Sequence, residues 1–211
     1  MVSTDVELCN HALSLLGESR IENLEQDNER ARICNLFYAQ TRDSLLSMYQ
    51  WPFAVKRVSL AMVDEENLTA YQHRYALPND YLKMIDMIAP NGYSVLGGGR
   101  YEPYTNTADT WNTANVGVRY QIEGNRLLTD MSPCIIRYTA RVVVPGRFPE
   151  LFVDTLVPAI AAKIAPRLSQ NFELANQLSM LSSNAFLRAT AELNQDALTR
   201  PPRQVNISEI N

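Results

Sequence analysis

The hydrophobic period of this sequence changes twice, and that change limits the folds it can adopt. As far as Met48, apolar residues recur every three or four positions, which is typical of helices. Trp51-Pro52-Phe53 then ends the helix, because the residue before a proline is disfavoured in the helical region. Short alternating segments follow to about residue 140, and after Pro149 the helical period returns.

This order predicts an α+β fold in a chain of 211 residues. The N-terminal and C-terminal helix pairs are expected to form one four-helix bundle, from residues 1–51 and 149–196. An antiparallel β subdomain, residues 52–148, is inserted between them, and residues 197–211 form an extended C-terminal tail. The residues Trp51, Pro52 and Phe53 are predicted to be the hinge between the bundle and the β subdomain.

The N-terminal helices have clear end signals. Thr4 and Glu7 have the spacing of a capping box, which predicts a first helix over about residues 5 to 16. Gly17 supplies a left-handed stop. The second helix is expected to begin near Asp27 or Asn28 and to continue to the Trp-Pro-Phe sequence.

The C-terminal helices are expected to differ in burial. The third follows Pro149, is apolar on most sides, and should be kinked or broken at Pro158 and Pro166. Asn171 or Ser169 is expected to cap a fourth helix that continues to about residue 196. The apolar side of this fourth helix consists of Leu174, Leu178, Leu181, Ala185, Ala189 and Leu193, and its opposite face is polar.

The central region contains several strand signals. Residues 71–77 alternate, and residues 116–122 and 126–130 form a predicted hairpin around Glu123-Gly124-Asn125. Residues 81–90 favour a strand, although a helix is also compatible with them. A slip in the alternation at Lys56-Arg57 predicts a β-bulge or a change of register. Residues 90–116 have no period and are expected to form one long loop.

Composition argues against two classes of protein. The net charge is −4 and the pI about 5.3, which disfavours a dedicated nucleic-acid-binding protein, since such binding depends on neutralising phosphates. No apolar run approaches the ~18 residues of a membrane helix, and the first residues lack a signal-peptide pattern.

The three cysteines have a structural interpretation. Cys9, Cys34 and Cys134 are far apart and lack C-x-x-C spacing, so we expect buried, reduced thiols in a reducing compartment. Cys9 and Cys34 fall in two different helices and can touch, which we interpret as packing.

Catalytic chemistry is not indicated. His11 and His73 are the only histidines, and no nucleophile-elbow pattern accompanies them. Residues 64–66 form an acidic run without the ligand spacing of a calcium loop. Residues 97–100, Gly-Gly-Gly-Arg, lack the lysine and hydroxyl residue of a P-loop. We therefore predict a protein that is not an enzyme and has no cofactor and no metal.

The β region is rich in aromatic residues. We expect the strand tyrosines, such as Tyr75, to belong to the sheet core. Tyr104 and Trp111 lie in the long loop, where core packing and interface anchoring are equally compatible with the sequence.

Three stretches together resemble a known family. "NHALSLLGE", "IENLEQDNERARICNLFYAQTRDSLLSMYQWPFA" and "YALPNDYLKM" occur in the order and spacing of phage head-to-tail adaptors, most closely of the tail tubular protein A family. These proteins form the gatekeeper ring of short-tailed bacteriophages. The similarity extends over nearly the whole chain, and it is weakest in the 90–116 loop and the C-terminal tail.

The resemblance implies a structural protein of the virion neck. Its subunits would form a ring, normally twelve-fold, that extends the DNA channel beneath the portal protein and provides the platform for the tail nozzle. Double-stranded DNA would pass through without specific binding, and no membrane would be involved. The implied portal contacts in the tail are Arg200, Pro201, Arg203, Val205, Ile207 and Ile210. The implied contacts with the next tail component are Gly98, Arg100, Tyr104 and Trp111.

Two other functions stay open at this point. One is a phage-encoded cell-wall hydrolase or another small soluble enzyme, although the sequence lacks a recognisable pair of catalytic acids. The other is a soluble nucleic-acid-binding protein, which the charge disfavours.

Overall fold

The computed structural model of the chain describes residues 4–64, 69–88, 94–96 and 119–199, without the side chains of 94–96 and 196–199. Over these residues it contains four α-helices and two small antiparallel sheets, so the α+β class is confirmed. The helices are α1 (Asp5–Ser14), α2 (Glu29–Met48), α3 (Glu150–Leu168) and α4 (Phe172–Thr199). The arrangement of the helices as a bundle stays a prediction. Residues 197–199, predicted to begin the extended tail, belong instead to α4, and the rest of the tail lies outside the described residues.

The chain divides into two compact units, with boundaries between Arg42 and Asp43 and between Val143 and Val144. Unit 1 combines segments from both ends of the chain and contains α1, α3, α4 and the first part of α2. Unit 2 contains the end of α2 and both sheets. The boundaries expected from the sequence, at 51/52 and 148/149, lie about nine and five residues later.

Helix α1 begins with the predicted capping box. Thr4 Oγ1 accepts a hydrogen bond from Glu7 N at 3.2 Å, and Glu7 Oε2 accepts one from Thr4 N at 3.1 Å. Gly17 has the expected left-handed conformation, with φ of +71°. The helix ends at Ser14, two residues earlier than predicted, because the following backbone forms a 3-10-type turn in which Gly17 N donates to Ser14 O at 3.2 Å.

Helix α2 begins where the sequence predicted. Asn28 Oδ1 accepts from Ala31 N at 2.8 Å, so Asn28 is the N-cap. The connector before it is held by Asn10, whose side chain bonds both the N–H and the carbonyl of Ile21 at 2.8 and 2.9 Å. Ile21 is buried.

Helix α3 is the core helix of unit 1, and it packs against α1 and α4. Its buried residues are Phe152, Thr155, Leu156, Val157, Pro158, Ile160, Ala161, Ile164 and Ala165. Of the kink or break expected at Pro158 and Pro166, the break is wrong, since the helix continues through both prolines. Each proline removes only one backbone donor, and burial on several sides holds the helical conformation.

Helix α4 packs along α3. Asn171 Oδ1 accepts from Leu174 N at 3.0 Å, which confirms one of the two predicted caps. Ala175, Leu178 and Ala189 are buried, and Ser182 Oγ donates to Thr155 O at 3.0 Å. Leu181 does not belong to the buried side as predicted, because its side chain is half exposed.

The described residues of unit 2 form seven strands in two antiparallel sheets. The four-stranded sheet has the order β1-β7-β3-β4 and the three-stranded sheet the order β2-β6-β5. The strands are β1 Val55–Ser59, β2 His73–Ala76, β3 Tyr81–Ile88, β4 Ser94–Leu96, β5 Tyr120–Glu123, β6 Arg126–Thr129 and β7 Ile135–Ala140.

The hairpin prediction is confirmed. β5 and β6 pair through Glu123 and Arg126, which leaves a two-residue loop at Gly124-Asn125. Gly124 has a φ of +57°, a conformation that glycine adopts without strain. The open choice for residues 81–90 is also resolved, because β3 is a strand.

The bulge predicted at Lys56-Arg57 is wrong. β1 pairs with β7 in an unbroken register from Val55 to Ser59. Val55 and Val58 lie three residues apart and so point to opposite faces of the sheet, which produces the slip in the apolar pattern. The register irregularities lie in β3, between Tyr81 and Lys83 and between Met84 and Asp86.

Part of the predicted 90–116 loop is a strand. Residues 94–96 pair with β3, from Asp86 to Ile88. Three residues are too few to display a period, so this strand depends on a partner supplied by the fold. The rest of that segment lies outside the described residues.

The core of unit 2 lies among strands of both sheets. It consists of Leu60, Tyr75, Leu77, Met87, Leu127, Cys134, Ile136, Tyr138 and Ala140. Tyr75 is buried, as expected for a strand tyrosine, and the Tyr81 ring stacks on Tyr138 with centroids 5.9 Å apart.

Candidate functional site

All the residues assigned to contacts with partners lie outside the described part of the chain. These are the portal-contact residues Arg200, Pro201, Arg203, Val205, Ile207 and Ile210, and the tail-component residues Gly98, Arg100, Tyr104 and Trp111. Their roles stay predictions.

The Trp-Pro-Phe corner, in contrast, lies within the described residues. Trp51 is only 1% exposed, and its Nε1 donates to Leu45 O at 3.0 Å. Its ring lies edge-on to Tyr49, with centroids 5.5 Å apart, and 6.2 Å from Phe53. Pro52 opens a short 3-10 turn, Pro52–Ala54, that leads directly into β1.

This corner satisfies the end of α2. The last four carbonyls of a helix lack partners within the helix, and Leu45 O is one of them because α2 ends at Met48. The Trp51 indole bonds this carbonyl, and Lys83 Nζ bonds Ser47 O at 3.2 Å. Within unit 2, side chains therefore cap the helix from two directions. The hinge role of Trp51, Pro52 and Phe53 stays a prediction.

Asp80 is the centre of a polar cluster in unit 2. Its carboxylate accepts from Lys56 Nζ at 2.5 Å and from Tyr138 OH at 2.9 Å. Burial opposes ionisation, but these hydrogen bonds outweigh it and hold the pKa of Asp80 below its ordinary value. Burial and the bond to Asp80 raise the pKa of Tyr138 to about 12.

A second ion pair crosses the four-stranded sheet. Arg137 donates to both carboxylate oxygens of Asp86, at 3.2 and 2.6 Å, and Asp86 is buried. A two-bond pair of this kind fixes the register of β3 against β7. These polar groups therefore stabilise the sheet.

The three cysteines are buried and free, as predicted. The Cys9 and Cys34 thiols are hydrogen-bonded to each other, and this bond together with burial raises the pKa of Cys9. Burial also raises the pKa of Cys134, to about 12.

The described residues contain neither a candidate metal site nor a membrane-spanning helix. No group of three or more His, Cys, Asp or Glu side chains in that part of the chain is arranged to hold a metal ion. Among those same residues, no helix combines the length and the apolar character needed to span a bilayer.

Unit 1 exposes large apolar side chains on α4. Phe172 is 70% exposed, Met180 67% and Leu187 64%. At about 100° per residue, these three lie within an arc of about 80° on the helix. Asn176 and Ser183 fall between them and are also exposed. We call the five residues Phe172, Asn176, Met180, Ser183 and Leu187 the α4 stripe.

Sequence reasoning missed the α4 stripe, because the face opposite the buried side was interpreted as polar. The apolar residues are seven and eight positions apart, with Asn and Ser between them, and so no short window displays them. In the sequence, the stripe is recognisable as uncharged residues that follow one another at steps of four, four, three and four positions.

A groove lies on another side of α4, against α3. It has a volume of about 390 Å³ and is lined by Asp154, Pro158, Leu181, Asn184, Ala185 and Arg188. Arg188 Nη2 lies 3.4 Å from Asp154 Oδ2, and both side chains are more than half exposed. We call it the α3–α4 groove.

Comparison with known proteins adds no identity. The chain matches no protein-family model and no curated protein. Its function is therefore argued from the residues and from the geometry of each unit.

Proposed function

We propose that this protein is a structural head-to-tail connector subunit of a tailed bacteriophage. In this proposal several copies, twelve by analogy with the family, form a ring under the portal protein. The ring extends the DNA channel in the virion neck and gives the tail nozzle its attachment site. The four helices form the bundle of each subunit, and the β unit faces the next tail component.

The observation that carries the proposal is the position of the family-like motifs in the fold. "NHALSLLGE" covers the second half of α1 and the left-handed Gly17 that follows it. The second motif covers α2 and the corner built around Trp51. "YALPNDYLKM" contains the turn from β2 into β3, including Asp80 with its two side-chain bonds. The resemblance therefore involves residues that determine where helices and strands end.

The α4 stripe supports an assembly role. Three exposed large apolar residues aligned on one face of a helix are available for contact with a neighbour, and covering them would remove apolar surface from water. A ring also requires each subunit to present surfaces for its neighbours.

The charge of the chain suits a DNA conduit. With a net charge of −4, the subunit has no overall attraction for phosphates, and strong pairing would hold DNA that has to slide. We propose passage of double-stranded DNA without specific binding.

The proposal is tested by negative-stain microscopy of the full chain mixed with purified portal. A ring that extends the portal stalk is expected. A portal that is unchanged at saturating chain concentration would contradict the proposal. Hydrolysis of peptidoglycan would favour the enzyme alternative, and salt-sensitive binding to DNA would favour the nucleic-acid-binding alternative.

The proposed role of the tail is tested by deleting residues 200–211, which follow the end of α4 at Thr199. The deletion is expected to abolish binding to the portal and to leave the circular dichroism spectrum of the folded units unchanged. The matched control is a full-length chain in which Ser replaces Arg200, Arg203, Val205 and Ile207. It separates the effect of losing these side chains from the effect of shortening the chain. Undiminished portal binding by the deletion would refute the role of the tail.

A further inference from the structure

We infer that the α4 stripe of one copy binds in the α3–α4 groove of the next copy. The two copies therefore meet through different surfaces. This inference rests on the proposed function in so far as that function requires a ring. It identifies the two surfaces that meet, and it makes the contact heterologous, stripe to groove.

The stripe has the form of a projecting surface. Met180 and Leu187 are separated by seven residues, about two helical turns, and both point away from the side of α4 that packs on α3. Ser183 lies between them and is small, so the two apolar side chains stand clear of their surroundings. Side chains spaced in this way can enter the grooves of a neighbouring helix pair.

The groove has the complementary form. Pro158, Leu181 and Ala185 give it an apolar lining between α3 and α4. A volume of about 390 Å³ accommodates apolar side chains from a neighbour.

The charges favour this pairing of surfaces over others on unit 1. The stripe is uncharged, and the one acid and one base of the groove, Asp154 and Arg188, compensate each other. A second groove of unit 1 is lined by Leu24 and Leu36 but also by Glu25, Asp27 and Arg32, where the connector meets the start of α2. An uncharged stripe bound there would remove these charged side chains from water without giving them a partner, which is unfavourable.

The positions of the two surfaces determine the type of assembly. Ser183 and Asn184 are adjacent in sequence, and so they project about 100° apart around α4. One copy can therefore donate its stripe to one neighbour and accept the stripe of another in its groove. Such a heterologous contact propagates from copy to copy and closes into a ring where the rotation between neighbours permits, whereas a stripe-to-stripe contact would end at a dimer.

The area of the stripe predicts a weak contact. From Phe172 to Leu187 it is about 22 Å long and about 10 Å wide, roughly 220 Å². A stable interface buries about 800 Å² on each partner. We therefore expect the free chain to be monomeric in dilute solution and the contact to persist where copies are held at high local concentration, as on a portal.

Engineered cysteines test the contact directly, because the three native thiols are buried. We would prepare Ser183→Cys on the stripe and Asn184→Cys in the groove, and treat each alone and an equal mixture with a short thiol-to-thiol crosslinker at high concentration. The mixture of Ser183→Cys with Leu36→Cys, an exposed residue on α2, measures random collisions.

The stripe–groove contact predicts several-fold more crosslinked heterodimer in the Ser183→Cys plus Asn184→Cys mixture than in the collision control. Adding Met180→Glu to the stripe variant should remove the excess, and adding Met48→Glu, an equally exposed methionine on α2, should not. Crosslinking of Ser183→Cys predominantly to itself would overturn the inference in favour of a symmetric dimer. Crosslinking at the level of the collision control would also overturn it.

The same crosslinks on portal-bound protein separate this inference from the proposed function. A ring seen by microscopy without the stripe–groove crosslink would refute the inference and leave the connector function standing. The crosslink in free protein without any ring on the portal would refute the connector function and leave the contact standing.

Discussion

Helices α3 and α4 lie side by side in unit 1, but their surfaces differ. Helix α3 buries nine of its 19 residues. Helix α4 has 28 residues and buries Ala175, Leu178 and Ala189 among those whose side chains are described, while Phe172, Met180 and Leu187 are exposed. The apolar residues of α3 therefore stabilise the folded unit, whereas some apolar residues of α4 are available to a partner.

Two phenylalanines provide the sharpest test of this comparison. Phe152 of α3 is 0% exposed and lies 5.0 Å from the Phe148 ring, centroid to centroid. Phe152→Ala is expected to lower the free energy of unfolding by about 3–5 kcal/mol, because it removes a buried ring and leaves a cavity. Phe172→Ala on α4 is expected to change it by less than about 0.5 kcal/mol, since that ring already lies in water. Urea denaturation of both variants measures the difference.

Similar losses of stability for the two variants would contradict the comparison. They would mean that Phe172 is part of the core of the free chain, and the α4 stripe would then lose its status as an available surface.

A smaller effect is expected where the two helices meet. Ser182 Oγ donates to Thr155 O, a carbonyl of the buried helix. Ser182→Ala is expected to cost about 1 kcal/mol, the usual net value of one hydrogen bond in a protein. Ser183→Ala is the matched control, because Ser183 is exposed and its hydroxyl bonds only within α4, to Ser179 O. Equal costs for the two serines would show that the bond between the helices adds nothing specific.

The sequence predicted those parts of the fold that depend on local signals. The capping box at Thr4, the N-caps at Asn28 and Asn171, and the two-residue turn at Gly124 each involve residues only a few positions apart. Hydrogen bonds over such short distances depend mainly on local residue type, and a single sequence displays them.

Features that depend on distant partners were not predicted. The partner of β1 is β7, about 80 residues away, and β4 exists through its pairing with β3. The bond of Trp51 to Leu45 O required knowing how the chain turns after Pro52. The α4 stripe was not predicted because the exposure of a residue depends on how the helices pack. The same helical spacing of apolar residues is compatible with a buried or an exposed face.

The central claim is that the open face of α4 becomes covered when copies of the chain assemble on a portal. Oxidation of methionine by peroxide, followed by mass spectrometry, tests this claim most directly, because Met180 is 67% and Met48 65% exposed in the single chain. Added free methionine serves as the dose standard. In the free protein the two residues are predicted to oxidise at similar rates, and on the portal Met180 is predicted to become strongly protected. Equal oxidation of Met180 in the free and the portal-bound protein would contradict the claim.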